Sequence, residues 1–211
     1  MSTAVVLSAV NETAALWMPA DASLATVAAR GIREAADPVL VVVAGTPAVG
    51  RVVAAAVPDR TVLVEDGPLA SLRRIHAVAD AAVDVVLVHE ITRALAPLSL
   101  IGDVLAAVIG GAPVAAPMLP ESDTVKNVAA SGHVLSTVDR DMLRTVQSPY
   151  GFARPSLDLL PDRPAETNEL GWLLGGGRIH AVPGHPDAFD IDGPAAQRLA
   201  EQVLRDRLAP A

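Results

Sequence analysis

The sequence predicts an α/β fold: a three-layer α/β/α sandwich around a mostly parallel sheet. Three features predict it. Apolar runs of strand length alternate with segments of helical periodicity along the whole chain. The first run, residues 4–10 (AVVLSAV), is apolar on both alternating sets of positions, as a central strand buried on both faces must be. One polar stretch, residues 121–152, breaks the alternation with two short strands and a Ser-Gly turn, which suits an arm projecting from the core.

The elements follow in order. Residues 4–10 form the first strand and 11–20 a loop. Residues 23–35 are helical, with Ser23 as N-cap and Leu24, Val27, Ala28 and Ile32 on one face. Residues 39–44 make the second strand, stopped by Gly45-Thr46-Pro47, and 49–57 a helix. Residues 61–64 make the third strand, 65–68 a turn and 71–82 a helix. Residues 85–89 (VVLVH) are the fourth strand, 98–109 a helix ended by Gly110-Gly111, and 113–116 the fifth strand. The arm runs over about 121–140, with strands at 123–128 and 133–138. Beyond it, 156–160 and 166–174 read as short helices, and 179–182 and 189–191 as short strands around Pro183-Gly184-His185-Pro186. Residues 194–208 are the last helix, with Leu199, Val203 and Leu204 facing in and Arg205 and Arg207 at its favourable C-terminal end.

The 211 residues suit one domain, residues 1–211, with a sizeable core. That core must be built of Ala, Val and Leu, because half the chain is hydrophobic and only 2% aromatic. There is no cysteine, which excludes disulfides, thiolate nucleophiles and cysteine-held zinc. The formal net charge of −8 argues against a nucleic-acid partner. Lys126 is the only lysine among 16 basic residues. No apolar run approaches the roughly 18 residues of a membrane span, and the start has no basic leader, so a cytoplasmic location is expected. The five histidines show no metal-binding pair at helical spacing, and no G-x-S-x-G motif occurs. Ligands of such a sheet sit at the C-terminal ends of its strands, so the loops after Val10, Val64, His89 and Ala116 are the candidate site.

The arm and its flanks carry a family resemblance. Asp123-Thr124-Val125-Lys126, Thr137-Val138-Asp139-Arg140 and Ser148-Pro149-Tyr150-Gly151-Phe152 resemble, in order, the D-T-x-K, T-V-D-R and T-P-Q-G-F motifs of the 2-C-methyl-D-erythritol 4-phosphate cytidylyltransferase family. Val88-His89-Glu90-Ile91-Thr92-Arg93 resembles its V-H-D-A-A-R, with a longer acid and with Ala94 replacing a Pro. The resemblance implies a Rossmann-like nucleotidyltransferase fold of the GT-A-like kind. It implies Glu90 and Ser71 beside a nucleotide, CTP and methylerythritol phosphate as substrates, and Mg²⁺ as cofactor. It places Arg93, Thr124 and Ser148 on the substrate and Arg140 in catalysis, with the arm reaching across a homodimer. A guanidinium gripping a phosphate, with hydroxyls at the remaining oxygens, is sound chemistry for that role.

The chain departs from the family elsewhere. The glycine-rich A-A-G-x-G-x-R-M loop and the following P-K-Q are replaced by residues 8–21, which hold no glycine, arginine or lysine. A backbone cradle and its cations are the usual means of holding a triphosphate. Glu12 and Asp21 add negative charge there, and Leu16, Trp17 and Met18 are expected to fill the nucleotide's space. The G-G-D-x-R-x-x-S-V motif survives as Glu65-Asp66-Gly67-Pro68-Leu69-Ala70-Ser71-Leu72, without its arginine, and Thr167-Asn168-Glu169 stands for T-D-E or T-D-D. The family's late lysine and threonine fall on Asp190 and Asp192. Three expectations follow: a divergent member with weak or no cytidylyl transfer, an active enzyme that recruits Arg51 or Arg73, or a subunit that lends Arg140 to an active homologue in a hetero-oligomer.

Overall fold

The structure is a computed structural model, and it describes residues 2–19, 21–78, 83–159 and 179–208. Its main sheet runs in the order β10-β5-β9-β4-β1-β2-β3, where β1 is Thr3–Ser8, β2 Leu40–Ala44, β3 Thr61–Glu65, β4 Val85–Glu90, β5 Val114–Pro120, β9 Tyr150–Ala153 and β10 Ile179–Pro183. β8 (Arg144–Val146) pairs with the outer end of β5. The pairs β1–β2, β1–β4, β2–β3 and β5–β10 are parallel. β9 is wedged antiparallel between β4 and β5.

Side chains of the central strands alternate between two cores. Val5 and Leu7 of β1, Val41 and Val43 of β2, and Val85 and Leu87 of β4 face one side. Ala4 and Val6, Val42 and Ala44, and Val86 and Val88 face the other. Helices α2 (Leu24–Ala36), α3 (Pro47–Ala56) and α5 (Leu98–Ile109) cover the first core, and Ala200 of α6 (Pro194–Leu208) joins it. Helix α4 (Pro68–Val78) covers the second through Leu72 and Ile75, assisted by Leu157. The three-layer α/β/α sandwich is therefore present. It closes tightly where Gly151 meets α5: a Cβ there would lie 2.7 Å from Val104 Cγ1 and 2.9 Å from Val108 Cγ2.

Several boundaries differ from the sequence reading. The first strand stops at Ser8. Residues 11–20 are not all loop, because Asn11 accepts the Ala14 N–H at 3.1 Å and caps a short helix, α1 (Glu12–Leu16). Residues 189–191 are not a strand but extended chain after a 3₁₀ turn at Pro186–Ala188. Leu199 faces water at 51% exposure, and Ala200 takes the buried position. The antiparallel strands β8 and β9 carry too few residues to give a period. Residues 166–177, with Thr167-Asn168-Glu169, lie outside the described residues, as do 79–82 at the end of the helix expected over 71–82.

The arm projects as expected. β6 (Lys126–Val128) and β7 (Val134–Thr137) form a separate two-stranded antiparallel sheet with a bulge at Asn127/Val128. Every residue of both strands is exposed, including Val134 and Leu135 at 64% each, and Met142 just beyond them at 80%.

Candidate active-site cleft

The C-terminal ends of β1, β2 and β3 and the start of α4 enclose an open cleft of about 510 Å³. Ser8, Ala9, Val10, Gly45, Thr46, Asp66, Gly67 and Glu90 are among its lining residues. A second opening of about 310 Å³ shares Ser8, Val10 and Glu90 with it and adds Asn11, Thr92, Asp190 and Asp192. The loop after β2 thus contributes, which the sequence reading missed, while the loop after β5 leads away into the arm. Among the described residues, neither lining contains a lysine, arginine or histidine. Asp66, Glu90, Asp190 and Asp192 make both openings anionic.

The expected Trp17 plug is absent from this cleft. Helix α1 turns the chain back over the first core, which buries Ala14 and Ala15 and packs Leu16 and Trp17 against it. Leu24 N–H donates to Trp17 O at 3.1 Å and fixes that course. Leu16 and Met18 instead line a groove of about 400 Å³ between α2 and α3.

Glu90 closes β4 and sits at the junction of the two openings. Its carboxylate is already engaged: Arg93 Nε donates to Oε2 at 2.6 Å and Tyr150 O–H to Oε1 at 3.3 Å. Arg93 Nη1 donates to Ala188 O at 2.8 Å, so two of its donors are spent inside the protein. The sequence reading gave Arg93 to a substrate phosphate. The structure makes it a cross-link between the end of β4 and the turn before α6. Burial and the Glu90 charge push the Tyr150 hydroxyl well above its ordinary pKa, so it stays a donor.

Ser148 also turns inward. It is fully buried, and its Oγ accepts the Glu90 N–H at 3.1 Å. Its own O–H is then free to donate to His89 Nδ1 at 3.2 Å, which puts the neutral imidazole's proton on Nε2. Burial, reinforced by Arg93, lowers the His89 pKa to about 4. Ser71 is likewise buried, and its hydroxyl donates to Gly67 O at 2.9 Å, inside its own helix turn. Both hydroxyls are thus hydrogen-bonded within the protein. A short polar side chain near a strand end satisfies buried backbone more readily than it reaches a ligand.

Thr124 and Arg140 lie on the arm, both exposed. Arg140 Nη1 donates to Ser122 O at 2.9 Å and ties the base of the hairpin. Among the described residues, no hydrogen bond or ion pair joins either of them to Arg93 or Ser148. The three expected substrate contacts and the expected catalytic Arg140 are therefore split between the cleft end of β4 and the arm.

Gln147 was not singled out in the sequence. It is buried, and its Nε2 donates to His185 O at 2.9 Å and Ala188 O at 3.1 Å, while its Oε1 accepts His185 N–H at 2.9 Å. Its only sequence signal is a polar residue directly before Ser148-Pro149, between two short strands.

Mg²⁺ typically takes one or two carboxylates plus substrate phosphates. Here both Glu90 oxygens are engaged within the protein, and the phosphates would lie among carboxylates with no cation among the described lining residues. Among the described residues, no group of three His, Asp or Glu side chains is placed to hold a metal ion. The residues present do not fit a metal–triphosphate pair.

The sequence model described as "IspD: 2-C-methyl-D-erythritol 4-phosphate cytidylyltransferase" matches residues 25–206. The chain belongs to the 2-C-methyl-D-erythritol 4-phosphate cytidylyltransferase family. Among curated relatives, the cytidylyltransferase of Saccharopolyspora erythraea is 44% identical over 126 residues, covering 57% of this chain and 55% of that protein. The bifunctional enzyme IspD/IspF of Clavibacter michiganensis is 37% identical over 183 residues, 82% of this chain and 45% of its own length. The match thus spans about half the length of these cytidylyltransferase-family relatives. The crystal structure of the cytidylyltransferase of Thermus thermophilus superposes with a TM-score of 0.72 over 97% of this chain and 100% of its own, at 24% identity, which bears on the fold alone. Among the described residues, no helix is long and apolar enough to cross a membrane.

Proposed function

We propose that this chain is a divergent member of the cytidylyltransferase family in which CTP-dependent transfer is lost or weak, and that it serves a binding or regulatory role. One observation carries the reading: among the described residues, the two adjoining openings at the strand ends are lined by Asp66, Glu90, Asp190 and Asp192 and by no cationic side chain. Nucleotidyl transfer relies on positioned cations and N–H donors at the charge that develops on phosphate oxygens. Removing one such donor costs about 10²–10³ in rate. In this chain the glycine cradle and its cations are missing together, and Arg93 is committed to Glu90 and Ala188.

The exposed Val134, Leu135 and Met142 of the arm support a homodimer formed through it. The same arm, with Arg140 at its base, supports a hetero-oligomer with an active homologue. A cytoplasmic single-domain protein fits both. Sedimentation of the wild type and of Leu135→Asp tests the homodimer: the wild type should sediment as a dimer and the variant as a monomer. A wild-type monomer would remove that part of the reading.

A second reading has its own support. The cleft is open and not filled by Trp17, which suits an active Mg²⁺-dependent nucleotidyltransferase with a rebuilt donor site. It requires arginines in the lining, and Arg51 and Arg73 are not among those residues. The deciding assay is pyrophosphate release from CTP with Mg²⁺ and methylerythritol phosphate. The first reading expects background release; sustained turnover would replace it with the second.

A further inference from the structure

Both legs of the arm press against the turn that precedes α6. The entering leg is the end of β5, where Met118 O accepts the Gly184 N–H at 2.9 Å. A Cβ on Gly184 would lie 2.8 Å from Leu119 Cγ and 2.6 Å from Gln147 Oε1, so the turn has no room to slide against either leg. The returning leg is β8, which pairs with β5 through Met118–Val146 and Leu119–Thr145 and runs directly into Gln147 and Ser148. Gln147 clamps the turn: its Oε1 accepts the His185 N–H, and its Nε2 donates to His185 O and Ala188 O. Ser148 Oγ accepts the Glu90 N–H at the end of β4. Ala188 O also accepts from Arg93, whose Nε holds the Glu90 carboxylate. Gln147 and Ser148 are both buried, so water does not readily replace these bonds.

We propose that Gln147 and Ser148 couple the arm to the cleft, so that a partner engaging the arm changes the position of the turn at residues 184–188 and of Glu90. They are positioning residues, acting on the cleft through Ala188 and Glu90. Close-packed elements joined by satisfied buried bonds move together, because sliding one past the other strands buried polar groups. At the arm's base, exposed contacts stitch the hairpin to its legs: Arg140 Nη1 donates to Ser122 O at 2.9 Å and Thr145 Oγ1 to Glu121 Oε2 at 3.2 Å. The stitches make the hairpin and β8 one body, and the buried clamp carries its displacement inward. This coupling deepens the regulatory reading given above by giving it a physical route.

The test is amide hydrogen exchange on the wild type, on the stitch variant Arg140→Ala/Thr145→Val, on Gln147→Leu and on all three substitutions together. It needs neither ligand nor partner. Arg140 and Thr145 are exposed, so cutting both stitches leaves the core intact, and unchanged exchange at Val5 and Leu7 verifies that. Coupling predicts exchange faster by about fivefold at both the His185 and the Glu90 amide in the stitch variant. It predicts no further gain at His185 from the stitch substitutions in the Gln147→Leu background. Unchanged exchange at either amide in the stitch variant overturns it. So does a gain at His185 that multiplies with that of Gln147→Leu, which would mark two independent effects. A gain shared by Val5 and Leu7 would mark general loosening and overturn it as well. The regulatory reading is judged separately, since CTP turnover would remove that reading and leave the coupling standing.

Discussion

Replacing Gln147 with Leu should loosen the turn at residues 185–188 and destabilise the protein by about 2–3 kcal/mol. The substitution nearly conserves volume but removes three hydrogen bonds of 2.9, 3.1 and 2.9 Å. Ala188 O keeps the Arg93 Nη1 donor at 2.8 Å, so it is not orphaned. His185 N–H and C=O lose the partners that Gln147 supplies. A buried group left without a partner costs about 1–3 kcal/mol, and half-burial of His185 places both near the low end of that range. For a chain of this size, a loss of that order lowers the melting temperature by about 4–12 °C. Chemical denaturation of the wild type, Gln147→Leu and the exposed control Arg144→Ala would measure it, with hydrogen exchange at the His185 and Ala188 amides as the local readout. A loss below about 0.5 kcal/mol, the range of ordinary surface substitutions, would refute the clamp. Faster exchange confined to the clamped turn would support it.

Three further outcomes are expected. His89 has a folded pKa of about 4 against an ordinary 6.5, so the unfolded chain binds more protons between those values. Its contribution is complete above pH 6.5 and is lost as pH falls toward 4, by up to about 3 kcal/mol. Denaturation at several pH values should show this slope flattened in His89→Gln; an identical slope would remove the assignment. Arg93→Met should cost about 1–3 kcal/mol because it strands the Glu90 carboxylate, and adding Glu90→Gln should recover part of it. Additive single and double variants in that cycle would show no coupling. Gly151→Ala drives a methyl into Val104 and Val108 and should cost about 1–3 kcal/mol in the same assay, whereas a neutral result would mean that α5 is free to shift.

The architecture was legible because its signal is periodic. Residues 4–7, 39–44 and 85–88 are apolar at consecutive positions, and the two cores divide the buried ones as the pleat requires. The arm was legible from its polarity. What stayed hidden was set by long-range pairing. β9 has four residues, and only its place between β4 and β5 makes it a strand. Helix α1 depends on the Asn11 cap, which reads equally well as a loop residue. Leu199 and Ala200 differ by one helical step, and the smaller residue holds the buried position.

For the site, residue type predicted location better than role. Glu90 does stand in the cleft, and Asp190 and Asp192 do line it. Arg93, Ser148 and Ser71 have the chemistry of anion ligands, but each has at least one hydrogen bond to a neighbouring backbone or side chain. A motif fixes which groups are near one another. It does not fix which of them the folded chain consumes, because that depends on partners such as Ala188 O, 95 residues away.

Calorimetric titration of the protein with CTP and Mg²⁺, followed by methylerythritol phosphate, tests the central claim most directly. An anionic cleft with no cation among its described lining residues predicts no CTP binding in the micromolar range and no heat of transfer when the second substrate is added. Micromolar CTP binding followed by pyrophosphate release would contradict it and make the chain a working cytidylyltransferase with a rebuilt donor site.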